Sequence, residues 1–297
     1  MALKHWGTVF SFLVLLIGEA RSESIYTTIF NVIESKKTNK ILILSGSDGR
    51  VYKTFKSNRN FNKLNSLIGK VVRIDYSIEN GESLVDSVHL TKEGEVNQRT
   101  LDLNHFQYNQ LRLFAPTDLK DIKVATDIFN NMLNDGDKAI SQCYKRAHMW
   151  AYDMWSDQKI MSEKIFIFYT RRYIDLEEFD WWFHVAPMVT VSGEKYVMDG
   201  TFMTKPIPLN EWKDYFIKSS KITCPMIKKY QEFEDNQWSR LCYLMSVPMY
   251  YYDPLSIEDR DVRGELRNHW ILTELQLARR AFWNWSNIYE AFNTDRN

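Results

Sequence analysis

The pattern of hydrophobic and polar positions divides the chain into a strand-rich first part and a mixed second part. Between residues 24 and 95, five short runs rich in β-branched and aromatic residues are separated by turn sequences such as GSDG and ENGE. The five runs are IYTTIFNVI, KILILSG, RVYKTF, KVVRIDYSI and SLVDSVHL. They predict a small β-rich, barrel-like or sandwich domain over residues 23–95.

Residues 96–117 show no clear period and predict a linker. Helical spacing then starts at Thr117-Asp118, continues through VATDIFNNML and is expected to end at Asn134-Asp135-Gly136. A second helix is predicted from Cys143. Three strands are predicted at 164–172, 181–191 and 195–202, and two later helices in NEWKDYFIKSS and in RNHWILTELQLARRAFWNWSNIYEAF. Residues 118–297 therefore predict an α+β unit with a mostly antiparallel sheet.

The first residues have the pattern of a targeting segment. Lys4 and His5 precede the apolar run TVFSFLVLLIG, which has the length of a signal-peptide core and is short for a membrane span. Ala20-Arg21-Ser22 offers a cleavage site before Glu23. We therefore predict a signal peptide over residues 1–22 and a secreted or periplasmic protein without stable membrane insertion. An uncleaved N-terminal anchor is the alternative.

Composition limits the classes of partner. The chain has 297 residues, of which 44% are hydrophobic, enough for one sizeable core or two modest ones. Lysine and arginine number 38, as do aspartate and glutamate, so no overall charge favours nucleic acid or acidic membranes. Residues 50–73 carry seven basic residues and no acid. That segment is compatible with a nucleic-acid surface, but a solvated face or a surface that docks on the rest of the chain is the preferred interpretation.

Three cysteines are present: Cys143, Cys224 and Cys242. In an exported protein an odd number of cysteines suggests one disulfide and one free thiol. Cys224 and Cys242 are close in sequence and form the candidate disulfide, which leaves Cys143 free. The sequence alone does not establish the pairing.

Cys143 opens the apolar face of its predicted helix. Ala147, Trp150 and Met154 follow at i+4, i+7 and i+11. The backbone N–H groups and the positive dipole end of a helix N-terminus favour a thiolate and can hold an oxyanion. His148 lies about 140° around the helix from Cys143, so we interpret it as structural.

A histidine and a carboxylate occur on two predicted strands joined at Ser192-Gly193. If that turn is a two-residue loop, residue 191 faces 194, and Asp199 becomes the diagonal neighbour of His184 on the same face of the sheet. An odd-length loop would place them on opposite faces. A carboxylate on one imidazole nitrogen leaves the other nitrogen to take a thiol proton. Each residue alone is compatible with a place in the core.

Several motifs together resemble the bacterial protein-glutaminase family, in the same order along the chain. They are CYKRAH (143–148), SEKIFIF (162–168), WWFHVAPMV (181–189), VMDGTF (197–202) and NEWKDYF (210–216). The resemblance covers roughly residues 118–220. Beyond residue 225 the chain does not match the family's pattern.

The resemblance implies a transglutaminase- or papain-like core with Cys143 as nucleophile, His184 as base and Asp199 as its orienting group. It implies hydrolysis of the side-chain amide of protein-bound glutamine through a thioester, without a metal or organic cofactor. Trp181, Trp182 and Gln142 are candidate substrate contacts. The expected partners are protein substrates with exposed glutamine and, as an inhibitory precursor segment, the chain's own N-terminal domain. We expect a monomer that binds no nucleic acid.

Two other classes of function remain open at this stage. The same three residues would serve a transglutaminase or a cysteine peptidase. A non-enzymatic exported binding protein, whose N-terminal barrel binds the ligand, is the third hypothesis.

Overall fold

The computed structural model describes residues 22–35, 38–58, 63–79, 82–92, 95–96, 114–133, 141–217, 221–263 and 272–283. The predicted signal peptide, except Ser22, lies outside the described residues. So do most of the predicted linker and both ends of the predicted C-terminal helix. No helix within the described ranges is long and apolar enough to span a membrane.

The first five strands form a closed barrel in the order β1-β2-β3-β5-β4. Their bounds are β1 Ser22–Glu34, β2 Lys40–Ser45, β3 Val51–Phe55, β4 Val71–Glu79 and β5 Glu82–Leu90, with a short 3-10 helix at Leu64–Leu67. All pairs are antiparallel except β3 with β5. Each strand coincides with one of the five predicted runs. Alternating apolar residues, among them Ile43, Val72 and Ile74, are buried inside the barrel.

The second sheet has six strands. Five follow the order β10-β9-β8-β7-β11, and β6 pairs with β8. Their bounds are β6 Asp118–Leu119, β7 Glu163–Tyr169, β8 Phe183–Val191, β9 Glu194–Val197, β10 Ile207–Pro208 and β11 Cys242–Pro248. Every pair is antiparallel except β6 with β8. The predicted α+β, mostly antiparallel character of this part of the chain is confirmed.

Seven helices are described. They are α1 Ile122–Asn131, α2 Cys143–Gln158, α3 Arg171–Glu177, α4 Leu209–Ile217, α5 Gln231–Glu234, α6 Pro254–Arg263 and α7 Leu272–Trp283. The predicted helices at Cys143 and in NEWKDYF are confirmed. Helices α3, α5 and α6 and strands β6, β10 and β11 were not predicted.

Both predicted boundaries of the first helix were wrong. The chain does not enter a helix at Thr117-Asp118, because Asp118 and Leu119 pair with the end of β8. The helix begins only at Ile122, where the Asp121 side chain caps it by accepting from the N–H of Val124 at 3.0 Å. It ends at Asn131, before the predicted stop, which lies outside the described residues.

The predicted strand 164–172 also extends too far. Thr170 ends it by capping α3, with its hydroxyl accepting from the N–H of Tyr173 at 3.4 Å.

The larger sheet is covered on both faces. Helix α2 packs on one face, where Ala147, Ala151 and Met154 meet Phe166, Val185 and Val189. Helix α4 packs on the other, where Trp212 and Phe216 meet Ile167 and Ala186. The candidate disulfide between Cys224 and Cys242 is formed, and both cysteines are buried in this second cluster.

The barrel contacts the outer side of α2, away from the sheet. Leu42, Leu44 and Val51 of the barrel pack with Met149 and Trp150 of α2 and with Phe282 and Trp283 of α7. Cys143 is the first residue of α2 and precedes these contact residues by more than one helical turn.

Candidate active site

Helix α2 places Cys143 at its first turn. Gln142 is the N-cap residue, and its carbonyl oxygen accepts from the N–H groups of Lys145 and Arg146 at 3.1 and 3.2 Å. The cysteine is free and half-buried. His148 is fully buried and its Nδ1 lies 2.8 Å from Nζ of Lys164. His148 therefore contacts a different part of the core from Cys143, as the helical spacing predicts.

The β8–β9 hairpin has the register that a two-residue loop predicts. Val191 faces Glu194, and Ser192 and Gly193 have positive φ angles of 50° and 84°. The ladder continues to Met188 and Val197, so residues 184 and 199 approach the same end of the hairpin.

Asp199 does not lie in a strand, which corrects the prediction. Strand β9 ends at Val197, and the Asp199 carboxylate accepts from the N–H of Thr201 at 3.2 Å. A side chain that bonds to the backbone two residues further on stabilises a turn in place of a strand. His184 consequently pairs with Ile167 of β7 and has no partner in β9.

His184 and Asp199 are in direct contact. Nε2 of His184 lies 2.7 Å from Oδ2 of Asp199, and the two residues are only 2% and 1% exposed. The Cys143 thiol lies close enough to His184 to help raise the pKa of the imidazole, and both residues line the same cavity. Because Nε2 faces the carboxylate, Nδ1 is the ring nitrogen left for the sulfur. The structure brings the three predicted residues into one line of contact.

The surroundings of His184 and Asp199 determine their protonation states. Burial opposes a positive charge on His184, but Asp199 and the nearby Cys143 thiol outweigh it and raise the pKa of His184 to about 9. Burial also opposes the charge on Asp199. The contacts with His184, the Trp212 indole and the Thr201 N–H prevail and lower the pKa of Asp199. His184 therefore holds a proton at neutral pH.

Four further residues support this line of contact, and the sequence analysis did not assign them to it. Nε1 of Trp212 donates to Oδ2 of Asp199 at 3.0 Å. Nε of Arg146 donates to the Thr201 hydroxyl at 2.8 Å, and Nη1 donates to the carbonyl and hydroxyl oxygens of Ser141. The i, i+4 spacing of Trp212 and Phe216 predicts a buried helix face, the signal that points to this tryptophan.

A cavity of about 570 Å³ opens onto the thiol. Its described lining residues are Ser141, Gln142, Cys143, Tyr144, Arg146, Asp180, Trp181, Trp182, Phe183, His184, Thr201 and Phe202. All three candidate substrate contacts are among them. The Trp181 ring stacks on that of His184, with centroids 5.9 Å apart. No barrel residue within the described ranges lines the cavity.

The contacts of Cys143, His184 and Asp199 define a class of protein by themselves. A half-buried thiol at a helix N-terminus, in contact with an imidazole that a carboxylate orients, is the arrangement of enzymes that form thioesters with acyl groups. The cavity gives a substrate side chain access to the sulfur.

Comparison with known proteins agrees with that class. Residues 119–216, which include Cys143, His184, Asp199 and Trp212, match the model of the family Gln_deamidase_2, described as Glutaminase. This confirms the resemblance to the glutaminase family, and we identify the matched region as a hydrolase that acts on amides. No curated protein is significantly similar to the chain.

Among solved structures, a pro-protein-glutaminase is similar over 90% of this chain and 96% of its own, with 13% identity and a TM-score of 0.34. A protein-glutaminase is similar over 58% and 95%, with 14% identity and a TM-score of 0.35. The protein-glutaminase from Chryseobacterium proteolyticum is similar over 47% and 77%, with 15% identity and a TM-score of 0.31.

Proposed function

We propose that this chain is an exported protein-glutamine deamidase, which hydrolyses the side-chain amide of protein-bound glutamine to glutamate and ammonia. The single observation that carries the proposal is the contact line from Cys143 through His184 to Asp199, at the base of an open cavity. The family match of the same residues supports an amide substrate.

In the proposed mechanism the Cys143 sulfur attacks the carboxamide carbon of a glutamine in the cavity. The backbone N–H groups at the start of α2 stabilise the oxyanion. His184 gives its proton to the departing nitrogen, so ammonia leaves and a thioester remains. His184 then takes a proton from water and the hydroxide attacks the thioester carbon. The carbon–sulfur bond breaks, the product ionises to glutamate, and protonated His184 is restored beside the sulfur. Asp199 keeps the imidazole oriented throughout.

The substrate side chain enters between the walls of the cavity. A carboxamide on a flexible stem matches a narrow space with aromatic walls, which Trp181 and Trp182 provide. Gln142 lines the same space, and its Oε1 accepts a hydrogen bond from the Tyr144 hydroxyl. We assign these three residues to substrate contact, and a transglutaminase-like core to residues 118–297. Export by the signal peptide 1–22 and action as a monomer belong to the same proposal.

Incubating the full chain with a glutamine-rich protein tests the proposal. We expect release of ammonia and conversion of glutamine to glutamate at defined positions by mass spectrometry. Cys143→Ala should lower the rate by at least about a thousandfold. No ammonia from the intact protein would contradict deamidation. Glutamine–lysine crosslinks, or cut chains, in the same samples would favour a transglutaminase or a peptidase.

A further inference from the structure

The mouth of the cavity carries exposed aromatic side chains. Trp181 and Trp182 are 42% and 43% exposed although both line the cavity. Trp182 packs on Phe183, and Trp181 packs on Phe202, which in turn contacts the exposed ring of Tyr215. We call Trp181, Trp182, Phe202 and Tyr215 the aromatic rim. It extends the apolar wall of the cavity onto the protein surface.

The residues that lead into the rim are acidic. The sequence DLEEFD at 175–180 contains Asp175, Glu177, Glu178 and Asp180, all exposed. We call these four residues the acidic segment. Asp180 also lines the cavity. Within the described part of the chain none of the four forms an ion pair. The guanidinium of Arg172, in the same helix, instead donates to the carbonyl oxygen of Trp238.

The local backbone holds the acidic segment against the rim. Helix α3 ends at Glu177, and Glu178 adopts a left-handed conformation with φ of 48°. The N–H of Phe179 then bonds back to the carbonyl of Ile174 at 3.1 Å, and the Phe179 ring contacts Trp181. Asp180 and the two indoles therefore line the same cavity, and the other three exposed carboxylates directly precede them along the chain.

We propose that the aromatic rim and the acidic segment form a docking surface for a positively charged segment of the protein substrate, next to the reactive glutamine. The inference rests on the proposed function and adds a substrate class to it. Lysine and arginine pack their aliphatic stems and cationic heads on aromatic faces and pair with carboxylates. Glutamines with basic residues within a few positions are the favoured sites. The same charge disfavours acidic segments, nucleic acid and anionic membranes.

Peptide binding to the full chain carrying Cys143→Ala tests the surface without turnover. Three peptides with one glutamine and lysine, serine or glutamate flanks are titrated, with fluorescence anisotropy as readout. We expect the lysine peptide to bind at least about tenfold more tightly than the glutamate peptide at low salt, and the difference to shrink as salt rises. Equal affinity for the three peptides would overturn the inference.

Charge-neutralising variants locate the effect. E177Q/E178Q/D180N should reduce the difference in Kd between the lysine and glutamate peptides to within about twofold. The matched control E34Q/E79Q/D86N removes three exposed carboxylates of the barrel and should leave the difference unchanged. If the control reduces the difference equally, the effect comes from net charge and the proposed surface is wrong.

The catalytically intact chain separates this inference from the proposed function. If the lysine peptide is deamidated with the highest kcat/KM, both stand. If all three peptides are deamidated equally, the docking surface fails and the deamidase remains. If binding discriminates between the peptides but none releases ammonia, the docking surface stands and the proposed reaction fails.

Discussion

At the scale of single residues, Arg146 connects two parts of the site that are far apart in sequence. It is 5% exposed and bonds to Ser141, just before α2, and to Thr201, just after Asp199. Burial lowers the pKa of Arg146, while negative charge at Cys143 and Asp199 raises it. One guanidinium therefore holds the start of α2 against the turn that carries the Asp199 carboxylate. We predict that Arg146 is a positioning residue.

Arg146→Lys keeps the charge and removes the planar fork that reaches both partners. We expect kcat/KM to fall about 10- to 100-fold through misplacement of the thiol. The free energy of unfolding should fall by about 1–3 kcal/mol, because buried oxygen atoms of Ser141 lose a donor. Kinetics across pH and denaturant unfolding measure both effects.

Three further variants isolate this role. Thr201→Val removes the hydroxyl that accepts from Arg146 and should lower kcat/KM with a shift of the pH profile, whereas Thr201→Ser should largely restore both. Arg172→Lys, on the exposed side of α3, should change neither. A normal pH profile and rate in both Arg146→Lys and Thr201→Val would show that Arg146 is only part of the core.

The residues of the contact line could be predicted from sequence because each belongs to a local pattern. Cys143 opens a helical face, and His184 and Asp199 lie on either side of a recognisable two-residue turn. The supporting contacts were not predictable in this way. The bond from Trp212 to Asp199 depends on how α4 packs on the sheet, and the partners of Arg146 depend on the turn at residues 199–201.

At the scale of elements, the β8–β9 hairpin determines where the buried ion pair forms. The ladder ends at Val197, so Asp199 is free to turn toward the His184 ring while its other oxygen accepts from the N–H of Thr201. Because the pair is buried, its protonation is coupled to folding.

The pH dependence of stability has a definite sign. The pKa of His184 is raised from 6.5 to about 9, so the folded state binds more protons than the unfolded state between these values. The contribution of the pair is complete near pH 6 and is lost as pH rises toward 9. The lowered pKa of Asp199 means that the contribution also falls in acid, below its unfolded pKa.

We therefore expect the free energy of unfolding of the wild type to exceed that of Asp199→Asn by about 1–3 kcal/mol near pH 6. The difference should decrease steadily between pH 6.5 and 9. Parallel urea titrations of both proteins measure it, and other titrating groups cancel in the difference. A difference that stays constant over this range would contradict the proposed state of His184.

Elements with a strong period were predicted, and elements defined by their neighbours were not. The five barrel strands and α2 carry enough alternation or helical spacing to identify them. Strand β11, like β7 and β8, is buried at nearly every position and shows no alternation, but its run CYLMSVP is short and contains few β-branched residues, so it did not stand out as a strand. Helix α3 spans only seven residues and begins at the Thr170 cap, directly after a strand of similar composition.

At the scale of the whole molecule, the turn between β2 and β3 enters the junction of α2 and α7. The carbonyl of Asp48 accepts from the Tyr152 hydroxyl, and the carbonyl of Gly49 accepts from Nε of Arg279 at 3.1 Å. Nη2 of Arg50 donates to the carbonyl of Ser156 at 2.8 Å. Arg279 is 2% exposed and also pairs with Asp153. These bonds fix the barrel to the outer side of α2.

The sequence predicted both units but not their placement. Alternation along β2 puts Leu42 and Leu44 on the opposite face from Ile41 and Ile43, which face the barrel interior, so the continuous apolar run indicates that both faces are covered. It does not indicate which part of the chain covers the outer face. The resemblance implied a segment that covers the active site. The described barrel residues instead contact α2 from Met149 onward, on its outer side, whereas the cavity is lined by Cys143, Tyr144 and Arg146 in the first turn of α2.

This placement predicts that the barrel supports the catalytic unit and does not block it. Without the barrel, Met149 and Trp150 of α2 would lose their contacts with Leu42, Leu44 and Val51 and become more exposed, at a cost of up to about 1.5–3 kcal/mol for each large apolar side chain. A chain with a protease site introduced between residues 97 and 113 tests the consequence. After cutting, we expect the two parts to elute together, and the rate of iodoacetamide labelling at Cys143 to change by less than about twofold.

Cys143→Ser is the control, since the other two cysteines form the disulfide. A labelling rate at Cys143 that rises tenfold or more after cutting would mean that the N-terminal part covers the site. If Cys143 is already reactive in the intact chain, the barrel stabilises α2 through its outer side and leaves the cavity accessible to substrate.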